Sequence, residues 1–155
     1  SAKDKEKLLY YAGIWRQEGE EIEKAYEIYQ TYLARYKLGT YTDNVIDRLD
    51  ILFFDMKDSN KSKMIVKYDE LIKKYQDKST AKKALYEKFK LLATMRNYDE
   101  VLALEDKVQK LDHNIYKDID KIIYEGALFI TREYLQDQNC TLSFKMIKQY
   151  DLNLS

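Results

Sequence analysis

The sequence predicts an all-α protein, and three observations support this fold class. The 155 residues include no proline and only four glycines, so the chain lacks the turn residues that a β-sandwich or barrel requires. Apolar residues recur along most of the chain with the spacing of one helix face. Short groups of Asn, Asp, Ser and Gly interrupt that spacing, as they do between helices. We therefore expect one helical domain over residues 1–155.

Eight helices follow from this spacing. In chain order they are predicted near residues 4–18, 21–37, 43–57, 64–75, 80–95, 98–111, 115–136 and 140–150. The third helix illustrates the pattern with an apolar face formed by Val45, Ile46, Leu49, Leu52, Phe53 and Met56. The breaks fall, in order, at Gly19, Gly39, 58–60, 77–79, Asn97, 112–114 and 137–139. Because these connections are short, consecutive helices should run antiparallel.

The helices also repeat in pairs. The apolar set Tyr26, Tyr29, Leu33, Tyr36 recurs as Ile65, Tyr68, Ile72, Tyr75, and then as Val101, Leu104, Val108, Leu111. A fourth set, Cys140, Ser143, Ile147, Tyr150, follows with Ser143 as a poor match. Successive sets are offset by 39, 36 and 39 residues. This period predicts four helix hairpins, at about 4–37, 41–76, 80–111 and 115–150, stacked as a solenoid. In this register Tyr26 and Tyr29 lie on a core face, and Cys140 is a buried small hydrophobe.

The period resembles the tetratricopeptide-repeat (TPR) family, whose helix–turn–helix unit has about 34 residues. The matching segments are Glu-Lys-Ala-Tyr-Glu-Ile-Tyr at 23–29 and Asn-Tyr-Asp-Glu-Val-Leu at 97–102. The chain departs from the family pattern because its repeats are longer and lack the terminal proline. The resemblance implies a TPR-like solenoid that binds a protein or peptide in a concave groove.

Residues 26–41 resemble a second pattern, Y-x-x-[FY]-L-x-x-Y-P-x-S-x-Y, found in repeat proteins of the bacterial envelope. Lys37 stands where that pattern has proline. The abundant Lys, Tyr, Asn and Ile also resemble proteins of AT-rich bacteria, among which are periplasmic scaffolds of the flagellar motor. The resemblance implies a bacterial periplasmic location, with the cytoplasm left open. Since the sequence begins at Ser1 without Met, we expect a fragment of a longer chain.

Enzymatic signals are sparse. His113 is the sole histidine and Cys140 the sole cysteine, so we predict no metal site, no cofactor site and no catalytic site. A Cys140–His113 dyad is the one catalytic alternative. We also expect no membrane span in this piece, because no apolar stretch approaches the roughly 20 residues that one requires.

The predicted function is therefore non-catalytic protein–protein interaction, as a scaffold or adaptor. In the TPR register, the first helix of each hairpin directs a set of residues toward the groove. These predicted partner-binding residues are Tyr11, Trp15, Asp50, Phe54, Tyr86, Lys90, Tyr124 and Leu128. Their aromatic members should form one row across the four hairpins. Packing of these residues between neighbouring helices is the alternative. We also expect an exposed apolar surface on the C-terminal hairpin, which binds either the next repeat of a longer chain or, by self-association, another copy of this one. Its predicted members are Leu142, Phe144, Met146, Leu152 and Leu154.

A lysine-rich middle segment offers a second interpretation. Residues 57–90 hold 11 basic side chains against 5 acidic ones, although the whole chain balances 27 basic with 27 acidic residues. A nucleic-acid-binding helical repeat would use such lysines against phosphates. Arginine, which bonds phosphate with two parallel donors, is missing from this segment. Nucleic acid is for that reason the less favoured partner.

Overall fold

The computed structural model describes all residues 1–155, and its regular structure is entirely helical. The nine α-helices are α1 (Ala2–Glu18), α2 (Ile22–Arg35), α3 (Thr42–Leu52), α4 (Lys61–Lys74), α5 (Ser79–Thr94), α6 (Tyr98–Ala103), α7 (Glu105–Val108), α8 (Ile119–Gln136) and α9 (Cys140–Tyr150). A 3-10 turn, Phe53–Asp55, continues α3. The all-α prediction is confirmed, whereas the solenoid arrangement stays a prediction.

The chain divides into two compact units, Ser1–Ser59 and Asn60–Ser155. The first unit contains α1, α2, α3 and the 3-10 turn, and the second contains α4 to α9. The predicted hairpin at 41–76 thus has one helix in each unit. A single repeat domain over the whole chain stays a prediction.

Nine helices replace the predicted eight because the helix expected at 98–111 is broken at Leu104. The N–H of Leu104 donates to the carbonyls of both Glu100 and Val101, so the last turn of α6 tightens. Acidic residues then occupy the first turn of α7, at Glu105 and Asp106, where they face the positive end of the new helix. Hydrophobic spacing alone does not register such a break, because Val101 and Val108 are both buried on either side of it.

The predicted helix at 115–136 begins four residues late, at Ile119. The Asp112 side chain accepts a hydrogen bond from Asn114 N at 2.9 Å, and the Asp112 carbonyl accepts one from Tyr116 N at 2.8 Å. These bonds fold 112–116 into a turn that competes with a helix. Asp118 then takes a left-handed backbone conformation, with φ 66°, before α8 starts.

Three helix connections share one backbone geometry. Glu20, Arg96 and Gln138 each have φ between 56° and 59° at the end of α1, α5 and α8. In each case, the following residue donates its N–H to the carbonyl five positions earlier, at 2.8 to 2.9 Å. This is the hydrogen-bond pattern of a Schellman helix end, usually made with glycine. Gly19, next to Glu20, keeps a negative φ of −81° instead.

The first unit is built around a core of tyrosine and aliphatic side chains. Tyr29 of α2 lies against Gly13 of α1, where an added Cβ would clash with the tyrosine ring. The Tyr29 hydroxyl donates to Gln17 Oε1 at 2.7 Å, and the Tyr32 hydroxyl donates to Glu6 Oε1 at 2.6 Å. Residues later in α2 therefore meet residues earlier in α1, as antiparallel helices require. The buried core consists of Tyr10, Ile14, Ala25, Tyr29, Tyr32, Val45 and Leu52.

The second unit has its own hydrophobic core. Its buried members are Phe89, Leu92, Val101, Val108, Leu111, Ile119 and Ile123. Gly126 of α8 allows the Tyr98 ring of α6 to approach, since a Cβ there would lie 3.1 Å from Tyr98 Cδ1. The Tyr150 hydroxyl of α9 donates to Glu105 Oε2 at 2.6 Å. Burial and this hydrogen bond to a carboxylate raise the pKa of Tyr150.

Two predictions of burial are wrong. Tyr26 is 37% exposed, because the buried face of α2 passes through Ala25, Tyr29 and Tyr32, one residue away from it. Cys140, expected to be buried, is exposed as the first residue of α9. The buried position in that helix is Ser143, whose hydroxyl donates to the Asn139 carbonyl at 2.7 Å.

Candidate protein-binding surface

One side of α1 carries apolar residues that the other helices of the first unit do not cover. Tyr10 and Ile14 bury the opposite side of this helix in the core. Leu8, Tyr11 and Trp15 are spaced three and four residues apart and share the outer side. Trp15 is 60% exposed and Leu8 is 63% exposed. We name these three residues the α1 stripe.

The α1 stripe borders a shallow depression of about 460 Å³, together with Asp4 and Lys7. Its members come from three successive turns of one helix, so their relative positions are fixed by the helix itself. Exposed Trp and Tyr side chains of this kind contribute most of the binding energy in many protein interfaces. The stripe is chemically suited to contact an apolar surface of a partner.

A cluster of aromatic rings supports the stripe from beneath. The Tyr10 and Tyr41 rings stack with centroids 4.4 Å apart and planes 8° apart. Tyr11 packs edge-on against both of them, at 5.1 Å and 6.3 Å. The Trp15 ring lies 6.3 Å from Tyr11 at the outer end of this cluster. Tyr11 is thus held in place by packing, which limits the side-chain entropy that binding would cost.

The two site residues predicted in the second hairpin lie in the first unit and are less accessible. Asp50 is only 5% exposed, so its carboxylate does not stand on an open wall as predicted. Phe54 is half-buried in the 3-10 turn, with its ring centroid 6.3 Å from that of Phe53. Helical spacing places Asp50 on the polar side of α3, and the spacing alone contains no sign that this side is covered.

Tyr86 and Lys90, predicted in the third hairpin, are engaged within the second unit. The Tyr86 hydroxyl donates to the Lys117 carbonyl at 2.7 Å, and its ring lies 5.0 Å from that of Tyr116. Lys90 Nζ lies 4.5 Å above the Tyr86 ring and 3.1 Å from Glu87 Oε1. The structure brings these two predicted residues together. Their contacts favour a packing role over partner binding.

Tyr124 and Leu128, predicted in the fourth hairpin, lie on α8. The Tyr124 hydroxyl accepts a hydrogen bond from Asn153 N at 3.0 Å, which ties the C-terminal segment to this helix. Leu128 is half-buried. A single aromatic row through all four hairpins stays a prediction. Sequence reasoning missed Leu8, although its position three residues before Tyr11 placed it on the same helix side.

The remaining candidate chemistry is dispersed. His113 Nδ1 lies 3.6 Å from Asp120 Oδ2, and its Nε2 lies 3.3 Å from the Gln109 carbonyl. No group of three or more His, Cys, Asp and Glu side chains is arranged to hold a metal ion. Several lysines of the middle segment are paired with acids. These ion pairs are Lys67–Glu70, Lys88–Asp69 and Lys90–Glu87.

The C-terminal helix has a second exposed apolar surface. Leu142 and Phe144 of α9 are exposed, as is Leu154 beyond it, while Leu152 is buried.

None of the helices has the combination of length and apolar composition needed to cross a membrane. In comparisons with known proteins, no protein-family model and no curated protein matches this chain.

Proposed function

We infer that this protein is a non-catalytic, TPR-like helical-repeat scaffold that binds a partner protein on the α1 stripe. The observation that carries this proposal is the exposure of Trp15 at the end of a packed aromatic cluster. A solvent-exposed tryptophan side chain leaves a large apolar area in contact with water. Covering that area with a partner's apolar side chains is the chemistry that the stripe supports.

The repeated helix connection supports the helical-repeat part of the proposal. The hydrogen bonds around Glu20, Arg96 and Gln138 recur at the ends of α1, α5 and α8, which open three of the four predicted hairpins. The same turn at equivalent positions is what a series of repeated helix hairpins would show. The resemblance of residues 26–41 to bacterial envelope repeats suggests an envelope or flagellar-motor assembly as its setting.

The nucleic-acid alternative has less support. A phosphate-binding surface needs cations that are free to displace counterions. Lys88 and Lys90 instead lie 2.6 Å and 3.1 Å from the acids Asp69 and Glu87. Because some lysines of the middle segment are paired in this way, we interpret the segment as ordinary solvent-exposed helix surface and not as a phosphate-binding surface.

Affinity capture with matched variants tests the proposal. The protein is immobilised as wild type, as Trp15→Ala and as Leu38→Ala, and proteins bound from an extract of the source cell are quantified by mass spectrometry. Leu38 is the control because it is 100% exposed and lies outside the α1 stripe. We expect Trp15→Ala to weaken capture at least tenfold, as hot-spot truncations do, and Leu38→Ala to leave it unchanged. Equal recovery of the same partners by all three forms would show that the stripe is not the binding site.

A further inference from the structure

A recess in the first unit, separate from the α1 stripe, has a distinct chemistry. It lies between the first turns of α2 and residues 55–57, and encloses about 440 Å³. Ile22, Tyr26 and Met56 form its apolar part. Ile22 and Met56 are half-buried, and Tyr26 keeps 37% of its surface open to solvent. The volume falls within the usual range for ligand pockets, about 300–1,000 Å³.

The rim of the recess is acidic. Glu23, Glu27 and Asp55 line it, and Lys57 is its only cation. Glu23 and Glu27 are four residues apart on α2, where like charges repel one another. None of the three carboxylates takes part in an ion pair or hydrogen bond. Net negative charge is thus left uncompensated around an apolar floor.

Two nearby cations, Arg16 and Lys24, are bonded to another acid, Glu21, and not to the carboxylates of the recess. Arg16 Nη1 lies 2.7 Å from Glu21 Oε1, and Lys24 Nζ lies 2.5 Å from Glu21 Oε2. These two bonds lower the pKa of Glu21, with the bond to Lys24 contributing most. Glu21 is therefore neutralised, whereas the neighbouring Glu23 is not.

The spread of the carboxylates indicates what kind of cation fits. They do not converge closely enough to form a metal site. An arginine side chain combines an aliphatic stem with a planar, delocalised cation. The stem suits Ile22 and Met56, and the guanidinium suits the partly exposed aromatic side chain of Tyr26 together with the surrounding acids.

We propose that this acidic recess binds an arginine side chain from a basic, partly apolar segment of a partner protein. The apolar floor contacts the aliphatic stem of the arginine and the apolar residue that flanks it in the segment. The carboxylates of Glu23, Glu27 and Asp55 pair with the guanidinium. This assignment does not depend on the α1 stripe, because the two surfaces share no residue.

The test uses a fluorescein-labelled peptide of alternating arginine and leucine, with lysine and citrulline versions as matched probes. Fluorescence polarisation gives the affinities, and ¹⁵N chemical-shift mapping gives the location. We expect shifts at 22–27 and 55–57, loss of binding with the citrulline peptide, and severalfold weaker binding with lysine. Glu23→Gln/Glu27→Gln should weaken arginine-peptide binding about tenfold, as loss of charge-assisted contacts does. Tyr26→Leu keeps the apolar floor but removes the aromatic ring, and it should weaken arginine-peptide binding about two- to fivefold.

The control is Glu18→Gln/Asp43→Asn, which makes the same change in net charge at two exposed acids outside the recess. It should change the affinity less than twofold, and circular dichroism should show unchanged helicity in every variant. Equal weakening by both double variants would reduce the effect to overall charge and overturn the proposal. Chemical-shift changes confined to other surfaces would also overturn the proposal. So would lysine and citrulline peptides that bind as tightly as the arginine peptide, or no binding at the highest soluble concentration. Trp15→Ala leaves this assay unchanged, so failure here is distinct from failure of the α1 stripe.

Discussion

Glu6 holds the first unit together at the point where α1, α2 and the loop before α3 meet. Its Oε1 accepts hydrogen bonds from the Tyr32 hydroxyl and from Thr40 N, both at 2.6 Å. The Tyr32 oxygen in turn accepts one from Tyr41 N at 2.9 Å. Glu6 is buried, so water does not readily replace these bonds. Residues 26 and 34 positions away from Glu6 in sequence are linked through one carboxylate oxygen.

Glu6→Ala should therefore destabilise the protein markedly. Each hydrogen bond to a charged group contributes about 1.5–3 kcal/mol, and the substitution leaves two donors without their acceptor. Removing the buried charge recovers part of this loss, because a carboxylate is costly to desolvate. We expect a net decrease of about 2–4 kcal/mol in the free energy of unfolding, measured by urea titration monitored by circular dichroism.

Two further experiments distinguish loss of the Glu6 hydrogen-bond network from a non-specific effect of substitution. Glu18→Ala removes an exposed acid from the same helix and should change the free energy of unfolding by less than about 0.5 kcal/mol. Tyr32→Phe alone and combined with Glu6→Ala forms a double-mutant cycle, whose coupling should be about 1–2 kcal/mol. A loss below 0.5 kcal/mol for Glu6→Ala, or additive effects in the cycle, would refute the assignment of a coupled network.

The other predictions concern single side chains. Trp15→Ala should change the free energy of unfolding by less than about 0.5 kcal/mol in a urea titration, whereas Tyr86→Ala should lower it by about 2–3 kcal/mol through lost ring packing and a lost hydrogen bond. Arg96→Gly should raise it by about 0.5–1 kcal/mol, because glycine adopts a positive φ without the steric cost of a Cβ. Burial raises the pKa of Tyr29 to about 12, so its neutral form stabilises the fold below pH 10 and this contribution is lost as pH rises toward 12. The alkaline decrease in the urea midpoint should accordingly be smaller in Tyr29→Phe. Sedimentation should show concentration-dependent self-association that Phe144→Glu reduces, and a wild type that stays monomeric at high concentration would contradict this.

Helix content could be predicted from the sequence because it depends on local patterns. The face through Val45 and Leu52 was regular enough to place α3 correctly, apart from its last turn. The break at Leu104 could not be predicted, since apolar spacing continues across it. The turn before α8 had a visible signal in Asp112, Asn114 and their neighbours, but the sequence did not show how far this turn would displace the helix start.

The candidate site was predictable only in part, because spacing identifies a helix side but not what covers it. Tyr11 and Trp15 lie beside a core stripe, and they are exposed. Tyr86 has the same relation to its own core, yet the turn containing Tyr116 and Lys117 packs onto it. That contact joins residues some 30 positions apart, which no local pattern records. The prediction that Tyr26 is buried is wrong for a different reason, because the buried face of α2 passes one residue away from it, through Ala25 and Tyr29.

The shared connection at Glu20, Arg96 and Gln138 also affects how the helix pairs move. At each one, the amide that follows the left-handed residue is bonded to a carbonyl inside the preceding helix. Hydrogen exchange at such an amide requires the end of that helix to unwind. The connections are consequently not free hinges, and each opens together with the helix it terminates. A surface carried on α1 thus keeps its orientation to α2 on the timescale of side-chain motion, and loses it only when the pair opens as a unit.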